Sequence, residues 1–167
     1  MTAGSAERGR RPDLRHLVAV PDRADPPAFA ADVVGTDLAG LPTTLGVGGA
    51  RWTLLLFLTS NCDGCRPFWP ALVEPASLGL SVEDAVAAVA RDAGGDDPSA
   101  LARLAPPGAT VVCAGSAWTA YRVAGPPFFA LVDGSTARVV TEGVAWAVPQ
   151  VGADVRRAVA GRHPGEG

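Results

Sequence analysis

The chain has 167 residues, 48% of them hydrophobic and 19% charged, with a formal net charge of −3. A single domain of this length buries roughly 70% of its unfolded surface and needs neither a disulfide framework nor a structural metal. The slightly acidic balance and scattered arginines exclude an electrostatic footprint for nucleic acid. The apolar run Leu54–Leu58 is far short of the roughly 18 residues that cross a bilayer, and because all 14 basic residues are arginine, Schiff-base and phosphate-loop lysine chemistry are excluded as well.

Residues 1–27 carry Arg8, Arg10, Arg11, Arg15 and Arg23 with few large apolar side chains, and read as a mobile arm. Arg10-Arg11 looks like part of a twin-arginine export signal, but Leu17–Val20 is too short for its apolar stretch and runs into Pro21. The domain proper is expected over 28–161, with a tail at 162–167. Glycines and Pro42 punctuate 29–50 as an irregular hairpin. Trp52–Leu58 is a continuous apolar run, the mark of a strand buried on both faces. A helix is predicted to open at Cys62 and carry Phe68, Trp69, Leu72 and Val73 on one stripe, with a kink at Pro70 and a stop at Pro75.

Ala85–Ala90 is the next predicted strand, followed by a helix that Asp97 caps ahead of Pro98. Thr110–Cys113 reads as a strand and Ser116–Val123 as a short helix. Phe128–Val132 and Ala137–Thr141 flank Asp133-Gly134-Ser135-Thr136, a hairpin signal in which Asp133 is a turn residue. The last helix is predicted from Pro149, with Val151, Val155, Ala158 and Val159 inward. The order β-α-β-α-β-α-β-β-α gives the fold class α/β, with a central mixed β-sheet flanked by helices.

Cys62-Asp63-Gly64-Cys65 falls between the buried strand and the helix it feeds. A helix N-terminus presents unpaired N–H groups and the positive end of the macrodipole, both of which favour a thiolate. Two cysteines three positions apart can close and reopen a short disulfide, so Cys62 is the expected attacker and Cys65 the buried resolver. Metal chemistry is not expected, because only Cys113, His16 and His163 remain as further ligands and both histidines lie on the tails. Thr59-x-x-Cys62 is similar to part of a peroxiredoxin site, but Leu55 stands where that pattern has proline. Cys113 reads as a buried strand residue. Trp52, Trp118 and Trp146 read as packing residues, while Trp69, one turn after the pair, is a candidate wall of a substrate groove.

The strand Leu54–Leu58, the Cys62/Cys65 pair, Pro70 and the segment Tyr121–Gly134 with Val123-x-Gly125-x-Pro127 together resemble the thioredoxin superfamily, in particular its TlpA-like and MauD-like disulfide reductases. The resemblance spans about residues 29–160 and implies a thioredoxin-like fold. It also implies a cis peptide bond before Pro127 and a substrate-contacting surface of Asp63, Gly64, Pro126 and Pro127. The implied activity is thiol–disulfide exchange with a protein or small-molecule disulfide or dithiol, by a monomer with no cofactor beyond the dithiol. The alternative is a binding, accessory or redox-sensing module on the same fold. The sequence departs from the family at four places: Leu56 and Phe68 occupy positions where relatives carry acids, Asn61 replaces a tryptophan, and Pro126 has no N–H to pair with a bound chain. Asp63 is expected to oppose and Arg66 to favour the Cys62 thiolate, with a potential nearer thioredoxin than strong oxidants such as DsbA. A cytoplasmic location is expected, or an extracytoplasmic, membrane-associated one if an anchor lies upstream.

Overall fold

Six consecutive residues, Trp52–Phe57, have buried side chains on both faces and form an interior strand of a seven-stranded mixed sheet. The computed structural model describes residues 29–162. The predicted arm and the two histidines lie outside those residues. The strands are β1 (Val33–Thr36), β2 (Pro42–Leu45), β3 (Trp52–Phe57), β4 (Ala85–Ala90), β5 (Thr110–Cys113), β6 (Phe128–Asp133) and β7 (Arg138–Val144). Their order across the sheet is β2-β1-β5-β4-β3-β6-β7. β3, β4 and β5 are parallel, while β6 and β7 add antiparallel on one side and β1 and β2 on the other. The helices are α1 (Phe68–Ala71), α2 (Pro98–Leu104), α3 (Gly115–Ala120) and α4 (Val148–Gly161).

Alternation along β3 divides the core in two. Trp52, Leu54, Leu56 and Leu58 face a cluster with Phe68, Trp69, Leu78, Leu101, Val151 and Val155, whereas Leu55 and Phe57 face one with Trp118, Tyr121, Phe128 and Val132. The two inward rows of β3 thus hold separate layers of structure on opposite faces, which fixes the strand's register and the place where it ends.

Predicted and observed elements differ in detail at several places, the helix expected over Ser116–Val123 being confined to Gly115–Ala120. The helix expected from Cys62 is instead a 3₁₀ turn at Asp63–Cys65, then the four residues of α1, then a second 3₁₀ turn at Pro75–Leu78. Pro67 and Pro70 both lack an N–H, and the amides of Cys65, Arg66, Trp69, Leu72 and Val73 bond three residues back rather than four. Val73, placed on the apolar stripe by periodicity, is exposed as a result. β7 begins at Arg138, because Ala137 takes a left-handed conformation (φ 51°) that a strand does not accommodate, and it runs on to Val144. The irregular hairpin at 29–50 is the antiparallel pair β1 and β2, which extends the sheet beyond β5.

Gly134 makes a close approach: a side chain there would collide with the carbonyl oxygen of Ala50, and its N–H bonds Arg51 O at 2.9 Å. Gly134→Ala is therefore expected to cost about 1–3 kcal/mol. Urea denaturation checks it, and an unchanged midpoint would count against the packing described.

Candidate active site

The end of β3 delivers the cysteine pair. Leu58 N–H bonds Val89 O at 3.3 Å, and the chain then leaves the sheet through Thr59, Ser60 and Asn61. Asp96, on the loop before α2, holds this exit. Its carboxylate accepts from Ser60 N–H at 3.0 Å, from the Ser60 hydroxyl, and from Asp97 N–H at 2.8 Å. The loop is thereby tied across the top of β4, two residues before Cys62.

Cys62 is half-buried and caps the 3₁₀ turn, its Sγ accepting the Cys65 N–H at 3.2 Å. A single turn has no row of aligned peptides, so the helix macrodipole expected from the sequence is replaced at this sulfur by one directed N–H. Cys65 is wholly buried among Leu56, Phe68 and Trp69, and the two cysteines approach to 2.5 Å. Burial, and then contact with Cys62, push the Cys65 thiol up to about 12, while the Thr59 backbone and hydroxyl act in the opposite direction. Of the two sulfurs, that of the half-buried Cys62 is the more accessible, and burial disfavours ionisation of Cys65.

The shift has a consequence for stability. The folded-state value lies above the reference value of 9.0, so the neutral thiol stabilises the fold fully below pH 9 and that contribution is lost as pH rises toward about 12. The Tyr121 hydroxyl, raised first by burial and then by Asp32, acts in the same direction in both redox forms. Urea midpoints of the reduced protein are expected to fall more steeply above pH 9 than those of the Cys62–Cys65 disulfide form, which has no Cys65 proton to lose. Parallel curves would contradict this.

The Pro126–Pro127 peptide bond is cis, as the resemblance implied. The Pro127 ring lies against Gly64, the residue between Asp63 and Cys65: a side-chain carbon at Gly64 would sit 3.5 Å from its Cγ and Cδ. Ala145 N–H bonds Pro127 O at 3.0 Å, which ties this segment to the end of β7. Asp63 and Arg66, expected to pull the Cys62 thiol in opposite directions, pair with one another at 3.8 Å in full contact with solvent. Water screens both charges, and their pairing leaves little net field at the sulfur.

Leu56 and Phe68 are fully buried in the same cluster as Cys65, so apolar side chains occupy both places where the resembled family carries acids. Trp69 does not line a surface groove. It is 1% exposed, because the shortened helix turns its ring into the cluster with Leu72, Leu78 and Val151. Trp52 and Trp118 are core residues as expected, but Trp146 is 79% exposed, next to the Ala145 amide that holds Pro127. Cys113 is buried at the end of β5, its thiol raised first by burial and then by Asp96, Asp37 and Asp92. Asp133 is a turn residue, accepting from Ser135 N–H at 2.9 Å and the Ser135 hydroxyl at 2.7 Å.

Two residues that the sequence reading did not assign to the pair belong to its surroundings. Asp96 was hidden behind Asp97, whose carboxylate does cap α2 through Ser99 N–H at 2.9 Å. Thr59, which the sequence offers only as part of a peroxidase-like pattern, is buried at the exit of β3.

No protein-family model and no curated protein matches the chain. Solved structures do. A candidate thiol:disulfide interchange protein, DsbE, from Chlorobium tepidum is 24% identical with a TM-score of 0.64, over 82% of this chain and 96% of that one. A thiol:disulfide interchange protein from a Bacteroides species is 20% identical with a TM-score of 0.60, over 83% and 93% of the two chains. The thioredoxin domain of a thiol-disulfide oxidoreductase from Bacteroides vulgatus is 18% identical with a TM-score of 0.60, over 82% and 96%. Together with the mixed sheet, the cysteine pair that follows its interior strand β3 and the cis-proline near it, these likenesses establish that the chain has the thioredoxin-like fold.

Proposed function

We propose that the chain is a thiol–disulfide oxidoreductase that reduces a disulfide of a partner molecule. The observation that carries this reading is the stacking of a half-exposed Cys62, its sulfur accepting a backbone N–H, on a buried and protonated Cys65, with Pro127 across Gly64. The Cys62 thiolate attacks one sulfur of the partner disulfide and the other leaves as a thiolate. Cys65, deprotonated, then attacks Cys62 Sγ, closing the Cys62–Cys65 disulfide and releasing the second partner thiolate. Two electrons pass from the dithiol to the partner, and the released thiolates take up the protons that the cysteines gave.

In this reading Asp63, Gly64, Pro126 and Pro127 form the surface the partner meets. Pro126 has no N–H, so a bound chain receives one hydrogen bond fewer there, which favours a restricted range of partners. The test is Cys65→Ser. The variant is expected to accumulate a covalent adduct through Cys62 that dithiothreitol releases, visible by mass spectrometry after exposure to a disulfide-bonded protein such as insulin or to oxidised glutathione. A variant that accumulates no adduct with either would sink the reading.

A further inference from the structure

We propose that Asp96 is a positioning residue for the nucleophile: by gripping Ser60, its carboxylate keeps the Cys62 sulfur within reach of the Cys65 N–H. The inference deepens the exchange reading above and rests on it. Ser60 gives both of its donors to this one carboxylate, its N–H at 3.0 Å to one oxygen and its hydroxyl to the other. A single bond would let the peptide pivot, whereas two bonds to the two oxygens of a planar, charged acceptor fix its orientation as well as its place. Only the exposed Asn61 stands between this grip and Cys62.

The grip is itself anchored. Asp96 N–H bonds Asp92 O at 3.1 Å, just past the end of β4, and Asp97, the next residue, caps α2 through Ser99 N–H at 2.9 Å. α2 is held in turn by Leu101, fully buried in the same cluster as Cys65. On the other side of Cys62 the turn supplies a second anchor, the Cys65 N–H bonding Cys62 O at 3.1 Å and Cys62 Sγ at 3.2 Å. The nucleophile is thus held between its own turn and a loop 36 positions away from Ser60.

Consecutive Cα atoms lie about 3.8 Å apart, so a rotation at Ser60 or Asn61 carries the Cys62 sulfur by ångströms. Exchange needs the reacting sulfurs closely aligned, and a misplacement of about 1 Å costs up to about a hundredfold. The N–H bond to the sulfur depends on the same placement. Asp96 touches no reacting atom, and a carboxylate's charge opposes a thiolate near it, so what it offers Cys62 is position and not field. The other charges beside the pair, Asp63 and Arg66, meet each other in solvent at 3.8 Å.

Iodoacetamide alkylation of Cys62 in the reduced full-length protein, located by mass spectrometry and followed across pH, reads this placement, since Cys65 and Cys113 are buried. Asp96→Ala is expected to move the alkaline rise of alkylation up by about half a pH unit or more, as the sulfur loses its donor, and to slow insulin reduction about tenfold. Loss of the charge alone would move the rise down, so its sign separates placement from field. Asp96→Asn, whose amide oxygen still accepts from Ser60, is expected to return the rise to the wild-type position or below it and to recover most of the rate. Adding Ser60→Ala to Asp96→Ala should change neither readout further, because both act through one contact. A rise that stays or moves down in Asp96→Ala, or effects of the two alanines that simply add, overturns the role of Asp96 and leaves the exchange reading standing. If Asp96→Ala does not fold, Ser60→Ala alone is expected to shift the rise the same way by a smaller amount, and an unchanged profile there overturns the role equally. A Cys65→Ser protein that forms no adduct through Cys62 overturns the exchange reading itself.

Discussion

Cys62→Ser is expected to reduce disulfide exchange to the uncatalysed background, a loss of at least about a thousandfold, with the fold intact. The serine oxygen can still accept the Cys65 N–H that now bonds Cys62 Sγ at 3.2 Å, so the turn keeps its cap. What is lost is the nucleophile, because the thiolate and not a hydroxyl attacks sulfur under neutral conditions. Cys65 cannot take over. Its side chain is wholly enclosed and its thiol is pushed up to about 12. Reduction of insulin followed by turbidity, together with urea denaturation, separates the two outcomes. A Cys62→Ser protein that retains exchange would place the chemistry on another thiol, and one that unfolds would make the cysteine structural.

Phe57→Ala is expected to cost about 3–5 kcal/mol, a large part of the roughly 5–15 kcal/mol that holds a domain of this size together. Phe57 is the last residue of β3 and is fully buried. Its ring meets Trp118 edge-on at 5.5 Å, Tyr121 at 5.6 Å and Phe128 at 6.0 Å. Those partners come from α3, the end of that helix and β6, so removing the ring leaves a cavity where three elements converge. The urea midpoint is the measurement, and a loss under about 1 kcal/mol would show that the layer collapses to fill the space. Exchange activity should fall as well, because the next residues carry the loop that presents Cys62.

The parts of the fold that were legible in the sequence are those where local chemistry and tertiary packing agree. The apolar run Trp52–Leu58 reads as a strand buried on both faces and is one over Trp52–Phe57, and the cis bond that the family resemblance implies before Pro127 is present. Apolar periodicity predicts a continuous helix after Cys62 because it does not register missing donors. Pro67 and Pro70 broke the ladder that the stripe Phe68, Trp69, Leu72 and Val73 seemed to promise. Trp69 and Trp146 exchanged their expected places for a related reason. An indole next to a cysteine pair looks like a surface feature, and one following a strand looks like core, until the turn geometry decides which ring points inward. Asp96 is illegible in the sequence because it acts through the fold, meeting a serine 36 positions back.

That last contact bears on how the geometry around the cysteine pair comes into being. Between Ser60 and Asp96 the chain must complete α1 and lay down β4 before the carboxylate can reach the loop. A nascent or truncated chain ending before residue 96 therefore contains the whole Cys-x-x-Cys sequence without the restraint that aims it. The reactivity of Cys62 should accordingly mature with long-range assembly, making thiol labelling of this cysteine a reporter of the moment at which the sheet closes.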